Sequence, residues 1–432
     1  MAVPQEPVLN GNENITQTYQ YSSPKDTRTR HLLKNGSSTQ SQDGDYLHIS
    51  ITTLDKNRRD PVFKFKAITN LPRYRNSSYS LIERSYAEFE RLFNALTYSN
   101  PECIVPALPF SSSSYQATED DERRIKHSMQ QWVNRVAMNP VLCHDEELRS
   151  FIETDFAFIP AIKLRKRASS FRLKFSYDIR DEDKALVHAK SIAHILEGHF
   201  LNTAKTIQKL AGYRKGLSTF NYELGTKSIA MGTVEKHPPL SSGLRKFGKT
   251  LQIISERQKL QAISESAILG DFFSYYAINS HVVKETLANR LRIISEHDDA
   301  VKNTISKRRY IERLKSSTNI KSDKVNEALE DLDYAKSYEQ NLDARVKNVT
   351  KNLHTELKIY EENRAQDFFN AVKDYVKKQI LFEKQQLNEW ENLKPDIKAI
   401  TKRNMHIYAF GDEKLDAKAV AEKLKIEGYY YL

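Results

Sequence analysis

The sequence predicts a small α+β domain with an antiparallel sheet, followed by an all-α region of three long antiparallel helices that dimerises. Two observations carry this expectation. Between residues 45 and 158, three short β-branched or aromatic runs, separated by turn-forming residues, precede three helical patterns. Then, from Asp271 to Lys394, this 432-residue chain has neither glycine nor proline. Ordinary helices run about 8–20 residues and are punctuated by those two residues. A charged, amphipathic run of this length therefore means very long helices, broken only near residues 316–319. Such helices lie side by side as a rod.

Residues 1–44 are rich in Ser, Thr, Gln, Asn and Gly with few large apolar groups, and they read as a disordered tail. The strands are expected at 46–52, 62–68 and 78–82, set apart by Asp60-Pro61 and by the turn-formers up to Pro72. Helices follow at 86–96, 120–138 and 145–154. Between the first two, Val105-Pro106-Ala107-Leu108-Pro109-Phe110 brackets an apolar pair with prolines, which predicts an extended, exposed loop. Residues 159–180 form a basic amphipathic linker in which Lys163, Arg165, Lys166, Arg167, Arg172 and Lys174 alternate with apolar residues. Such a segment suits the headgroup plane of an anionic membrane, and equally a solvated linker docked on its neighbour.

Residues 181–400 are expected to hold helices at 182–230, 241–315 and 321–394, with a break at 232–243 and a stop at Pro395. On the third, Leu342, Val346, Val349, Leu353 and Leu357 fall at spacings of three and four. The stripe continues through Phe368, Ile380, Leu387 and Trp390, too far for intrachain neighbours of ordinary size. Val346, Leu353 and Leu357 are accordingly read as a dimer stripe. Residues 401–432 are read as a C-terminal tail of unassigned role.

The net charge of +11 favours an anionic partner. Nucleic acid is set aside, because no zinc-finger or helix-turn-helix spacing occurs and the charge spreads along helices. The cluster around Lys307, Arg308 and Arg309 sits at a predicted arm tip, where it reads as a membrane contact or as a solvated helix end. Cys103 and Cys143 are too few for a disulfide scaffold and fit a reducing compartment. The first residues carry neither a basic nor an apolar leader segment, and no apolar run is long enough to span a bilayer. Gly243 to Thr250 spells GxxxxGKT, but the preceding Lys236-His237-Pro238-Pro239 is no buried strand, so a helix is expected there instead of a phosphate loop. No HExxH, no cysteine pair at metal spacing and no catalytic triad order stands out. The reading is of a protein that is not an enzyme and carries no cofactor or metal.

Taken in order, these pieces resemble a PX–BAR sorting nexin over residues 45–400. Arg84-Ser85-Tyr86-Ala87-Glu88-Phe89 looks like the family's Arg-Arg-Tyr box, and 105–110 like its proline-rich membrane loop. Met129 to Val136 with Asn139-Pro140 looks like the last long helix of the PX domain. Val283-Lys284-Glu285 with Arg290, then 356–361 through 385–391, are similar to the second and third BAR helices.

The resemblance implies a scaffold of the retromer and endosomal coat. It implies binding to endosomal lipids including phosphatidylinositol 3-phosphate, a second PX–BAR sorting nexin as heterodimer partner, and contact with the retromer core. It also implies a place in the cytoplasm, peripheral on the endosome. The pocket departs from the family. The arginine that would hold the 3-phosphate is Ser85, the lysine after the proline loop is absent, and the second pocket arginine falls on Ile125. Arg84, Tyr86, Arg124 and Lys126 remain as candidates in a degenerate phosphoinositide pocket that binds weakly. The alternative is a soluble coiled-coil scaffold whose PX-like domain binds protein.

Overall fold

The computed structural model describes residues 44–408 apart from 57, 111–118, 162–180 and 317–321. The expected N-terminal tail up to residue 43, the six linker cations from Lys163 to Lys174, and the C-terminal residues beyond 408 lie outside the described residues.

Three strands, β1 (Leu47–Asp55), β2 (Val62–Thr69) and β3 (Ser78–Ser85), form one antiparallel sheet in the order β1-β2-β3. Alternation sets its inner face: Leu47, Ile49 and Ile51 of β1 are buried. The register with β2 slips between Ile51 and Thr53. That bulge shifts the parity, so Leu54 also turns inward.

The helices α1 (Tyr86–Ser99), α2 (Glu119–Met138) and α3 (Glu146–Glu153) cover this face. Phe89 of α1 is the hub. Its ring centroid lies 4.9 Å from that of Phe151, 5.5 Å from Phe63 and 6.0 Å from Trp132. All four rings are fully buried, in edge-to-face geometry that adds to area burial.

The arm starts with α4 (Lys184–Val234), capped by Asp183, whose carboxylate accepts from the N–H groups of Ala185 and Leu186. A turn at Glu235–His237 leads to α5 (Pro238–Glu265), entered through two prolines at positions where a helix has no N–H to lose. The expected second helix is thus α5 and α6 (Asp271–Lys315) joined by a π-helical turn, Ser266–Gly270.

The GxxxxGKT run lies inside α5, and its second glycine serves packing. A Cβ on Gly248 would sit 2.4 Å from the Gly225 carbonyl oxygen of α4, so the two backbones touch there. Near the same contact, Ser218 and Ser255 each donate a hydroxyl to the other's carbonyl, at 2.9 and 2.7 Å.

The last helix, α7 (Ser322–Tyr408), has 87 residues and is about 130 Å long. It runs through Pro395, which corrects the expected stop. The proline removes the N–H that would bond the Glu391 carbonyl, but both residues are exposed, so water can take its place.

The dimer stripe is also corrected. Leu353 is fully buried, in a cluster with Leu186 of α4, Val283, Leu287 and Ile293 of α6 and Val349 of α7, and Val346 and Leu357 pack against that cluster. The expectation failed because α4 and α6 are themselves long enough to cover the stripe. Beyond Tyr360 the cover is partial: Phe368 still meets Phe272 of α6 and Trp390 meets Phe247 of α5, yet Phe368, Ile380, Leu387 and Trp390 are 42–58 % exposed.

The two halves should respond differently to substitution. Leu353→Ala should destabilise the chain by about 2–5 kcal/mol, the range for emptying a buried leucine site, as read by denaturant unfolding. A changed sedimentation profile with an unaltered unfolding midpoint would instead restore Leu353 to an intermolecular seam.

Candidate lipid-binding site

The Arg-Ser-Tyr-Ala-Glu-Phe box straddles the junction of β3 and α1, and nearly every polar group in it is committed to the fold. Arg84 is 3 % exposed. Its Nε donates to the Phe151 carbonyl at 2.9 Å, Nη1 to the Glu83 carbonyl at 2.9 Å, and Nη2 to the Thr154 carbonyl. The guanidinium lies 5.4 Å from the Phe151 ring centroid. Burial depresses its pKa, partly offset by Glu88 and Asp155. Arg84 therefore stitches β3 to the end of α3 and has no fork left for a phosphate, a correction to its candidacy.

Ser85 occupies the N-cap of α1, and Glu88 closes the turn by accepting from the Ser85 N–H at 2.8 Å. The other oxygen of Glu88 accepts from the Phe158 N–H at 2.6 Å. Tyr86 donates its hydroxyl to the Pro109 carbonyl at 2.8 Å, and burial raises its pKa to about 12. The position that would hold a 3-phosphate is thus a helix cap, and the stacking tyrosine pins the proline loop.

On α2, Lys126 turns towards the sheet and donates to the Thr52 carbonyl beside the β1 bulge. Arg124 points the other way, into a cleft shared with α7. Ile125, between them, is buried. Arg84, Tyr86, Arg124 and Lys126 therefore do not converge on one pocket.

The proline loop is not exposed as expected. Val105 and Ala107 are fully buried, and Ile104 joins the arm's apolar cluster with Leu353. The loop's backbone is read by the arm. Glu356 of α7 accepts from the Ile104 N–H at 3.2 Å and from Asn139 Nδ2 at 2.8 Å. Asn279 of α6 accepts from the Ala107 N–H at 2.9 Å, and Tyr275 donates to the Ala107 carbonyl at 3.0 Å.

Nη2 of Arg135 on α2 donates to both carboxylate oxygens of Asp367 on α7, at 2.7 and 2.8 Å, and Tyr276 donates to the same carboxylate at 2.6 Å. Burial disfavours the charge on Arg135, but Asp367 outweighs it and holds the guanidinium's pKa above its ordinary value. Burial raises the Glu356 carboxyl, against the two hydrogen bonds that favour its ionised form. Arg135, Asn139 and Glu356 entered the sequence reading only inside runs similar to the family's helices, and their part as anchors was not legible there, because Arg135, Glu356 and Asp367 each read locally as solvated helix positions.

At the arm's far end, Lys307 pairs with Asp331 at 2.5 Å across α6 and α7, while Arg308 and Arg309 are exposed. Lys307 is thereby partly neutralised, and among the described residues the two arginines have no ion pair. In mid-arm, Arg290 bonds Thr350 at 2.9 Å and Asp181 at 2.5 Å, joining α6, α7 and the segment before α4. Among the described residues no cluster of metal-ligating side chains occurs, and no helix is long and apolar enough to cross a membrane.

Comparison with known proteins agrees with this architecture. The model of the family described as Vps5 C terminal like matches residues 163–396, and that of the PX domain matches residues 72–155. Vacuolar protein sorting-associated protein 17 of Schizosaccharomyces pombe is 29 % identical over 91 % of this chain and 73 % of its own length. The protein of the same name from Saccharomyces cerevisiae is 25 % identical over 79 % of this chain and 62 % of its own length. This chain thus spans about three fifths of that relative. Sorting nexin-1 of Mus musculus is 22 % identical over 78 % of this chain and 69 % of its own length.

Glu356 supplies a pH test of the docked loop. Its folded pKa is raised, so the folded state holds the proton more tightly than the unfolded chain. Its contribution is complete below the ordinary carboxylate pKa and declines as pH rises through the raised value. Glu356→Gln cannot accept from both Ile104 and Asn139 and should cost about 1–3 kcal/mol for the donor left unpaired. The gap between parent and variant unfolding midpoints should narrow as pH rises from about 4.5. A gap that stays constant with pH would show that Glu356 does not titrate with folding.

Proposed function

The chain belongs to the Vps5 C terminal like family and carries a PX domain ahead of its BAR arm, and on that premise we propose that it binds and curves endosomal membranes as one half of a BAR dimer. In this reading it works in the coat that returns proteins from endosomes to the Golgi, with a second PX–BAR sorting nexin as heterodimer partner and the retromer core as its cargo-bearing neighbour. The family is one of non-catalytic scaffolds, and the chain acts through shape and surface.

The observation that supports the reading is an uncovered apolar stripe on α4. Leu210, Tyr213, Leu217, Phe220, Leu224 and Met231 recur at spacings of three, four and seven, and each is 46–76 % exposed. An exposed apolar surface this long marks an interaction site. Its period suits the helices of another BAR chain, as knobs between its side chains. The outer part of α7 adds Ile380 and Leu387, both half-exposed. The dimer seam proposed here thus replaces the one read from Val346, Leu353 and Leu357.

The membrane contribution is electrostatic. Arg308 and Arg309, with the linker cations Lys163, Arg165, Lys166, Arg167, Arg172 and Lys174, are proposed to meet anionic lipid, each worth about 1 kcal/mol near such a surface. Phosphatidylinositol 3-phosphate itself is expected to bind weakly, because Arg84 is buried in the fold and Ser85 caps a helix. Those same facts favour a second reading, in which the PX domain contacts protein and membrane attachment falls to the arm and linker.

Phe220→Glu with Leu224→Glu would put two carboxylates into the proposed seam, a burial too costly to survive association. Sedimentation with the partner nexin should show loss of the dimer, and vesicle tubulation should fail, while the helical content stays that of the parent. An unchanged dimer would remove the α4 seam.

Attachment to acidic vesicles should weaken steeply as salt rises, since exposed charges are screened over about 8 Å at physiological ionic strength. Reversing Arg308 and Arg309 to Glu should weaken it further without affecting sedimentation. Flotation indifferent to both would leave the tip as a solvated helix end.

A further inference from the structure

Where α2 of the PX domain passes the arm, a cleft of about 840 Å3 opens between the two modules. Arg124 enters it from α2, and Lys373, Lys377 and Lys378 enter it from α7. Among the described residues, Arg124, Lys377 and Lys378 have no hydrogen bond or ion pair. Lys373 only overhangs the ring of Phe369, with Nζ 5.8 Å from its centroid. The carboxylates that could balance them are few. Asp367, on the cleft wall, is already held by Arg135 and Tyr276. Asp271 and Asp374 also line the cleft, so six cations, Arg123, Arg124, Arg135, Lys373, Lys377 and Lys378, face three carboxylates there, and cations from two modules outnumber the counter-charges in one recess. Like charges held in this way repel, and the repulsion opposes the docking that Glu356 and Asp367 enforce.

The floor is apolar, with Ile125, Phe272 and Leu381. One wall is the π-helical turn, which contributes Ala267 and Ile268. Such turns are rare and occur often at functional sites. The volume lies in the range of small-molecule sites, about 300–1,000 Å3. Lysines offer point charges and arginine a planar fork, a mixture that suits several phosphates on one compact scaffold.

We propose that this cleft binds a compact polyphosphate, such as a multiply phosphorylated inositol ring, and that the ligand bridges the PX domain to the arm. The site lies outside the box of Arg84 to Phe89 and draws three of its six lining cations from α7, so it is distinct from a pocket within the PX domain. A ligand that contacts both modules binds the docked state preferentially and raises its stability by mass action. The same headgroup could arrive free in solution or on a lipid.

Inositol hexakisphosphate titrated into the full chain should bind saturably in calorimetry and raise the melting temperature with concentration. Lys373→Glu with Lys377→Glu on the arm, and separately Arg124→Glu on the PX domain, should each weaken binding at least tenfold. Arg308→Glu with Arg309→Glu at the arm tip, an equal loss of cationic charge, should leave it within twofold. Vesicles carrying a polyphosphorylated phosphoinositide, compared with phosphatidylserine vesicles of equal surface charge, identify the source. A preference for the former that depends on Lys377 assigns the ligand to lipid, and binding of the free polyphosphate alone assigns it to solution.

The proposal is overturned if the parent does not bind, or if the tip variant loses as much as the cleft variants. It is also overturned if only the PX-side variant matters, since the ligand would then sit within the PX domain. Circular dichroism and the unliganded melting temperature separate failure to bind from failure to fold. Lys377→Ala, milder than reversal, serves where the double variant is unstable. Dimerisation and curvature do not enter the site, so its failure leaves the α4 seam untouched.

Discussion

The buried carboxylate of Glu356 holds two modules in one arrangement. It stands on the longest helix of the arm and accepts from a backbone N–H of the proline loop and from Asn139, which follows α2. A lone carboxylate in such surroundings would be costly. Here two donors meet it, and Ile104 beside it completes an apolar cluster of the arm. The polar contact specifies where the loop lies, and the apolar one makes the position favourable. Arg135 and Asp367 repeat the device about three turns further along α7, as an ion pair reinforced by Tyr276. Two anchors on one helix fix orientation as well as place, so the PX domain should move with the arm as one piece. For a scaffold acting on membranes, that coupling ties the placement of the PX domain to the angle of the arm.

Much of the fold was legible because it depends on local periodicity. The strands, the three PX helices and the long arm helices follow from alternation, from spacings of three and four, and from the absence of glycine and proline. Where tertiary contact decides, the sequence was silent or pointed elsewhere. Arg84 looked like a ligand because it flanks the box tyrosine. Its real partners are carbonyls 67 and 70 residues away, and nothing local announces them. Pro106 and Pro109 indicated an extended loop, correctly, but an extended backbone can be buried when another element supplies its hydrogen bonds. Asn279 and Glu356 do so here. Glu356, Asp367 and Lys377 all read as solvated positions of an amphipathic helix, and only docking separates an anchor from a free charge.

The apolar stripe of α7 shows why periodicity identifies a face but not its partner. From Leu332 to Leu357 the stripe is covered by the chain's own helices, while from Phe368 onward the same period continues half-exposed. The sequence does not change character at that boundary, but the neighbours do. Towards the tip, α7 runs against α6. Towards the other end it runs against α5, where the contact is partly polar, through Gln261, Gln379, Glu265 and Glu383. A buried polar layer of this kind contributes less to stability than an apolar one, and it tolerates few alternative registers because each amide must find its partner.

The α4–α5 pair follows from that constraint. Their backbones approach closely enough at Gly225 and Gly248 that a methyl group on either would strike the other's carbonyl. Ser218 and Ser255, two turns away, exchange hydroxyl bonds across the same seam. Small residues let the inner faces close without large apolar side chains, so the large ones on α4 are left to the outer face. Tyr213, Phe220 and Leu224 are exposed because glycine and serine already serve on the inside. Close packing within the chain and an uncovered apolar face outside it are therefore two results of one distribution of residue sizes around α4. A substitution such as Gly248→Ala would push α4 away from α5 and shift the outer stripe with it. It should therefore weaken association with a second chain although residue 248 lies in the inner contact. Comparing its dimer dissociation constant with that of Gly216→Ala, where a Cβ meets nothing within 4 Å, would test that link. Equal constants would mean that the outer stripe does not depend on the inner contact.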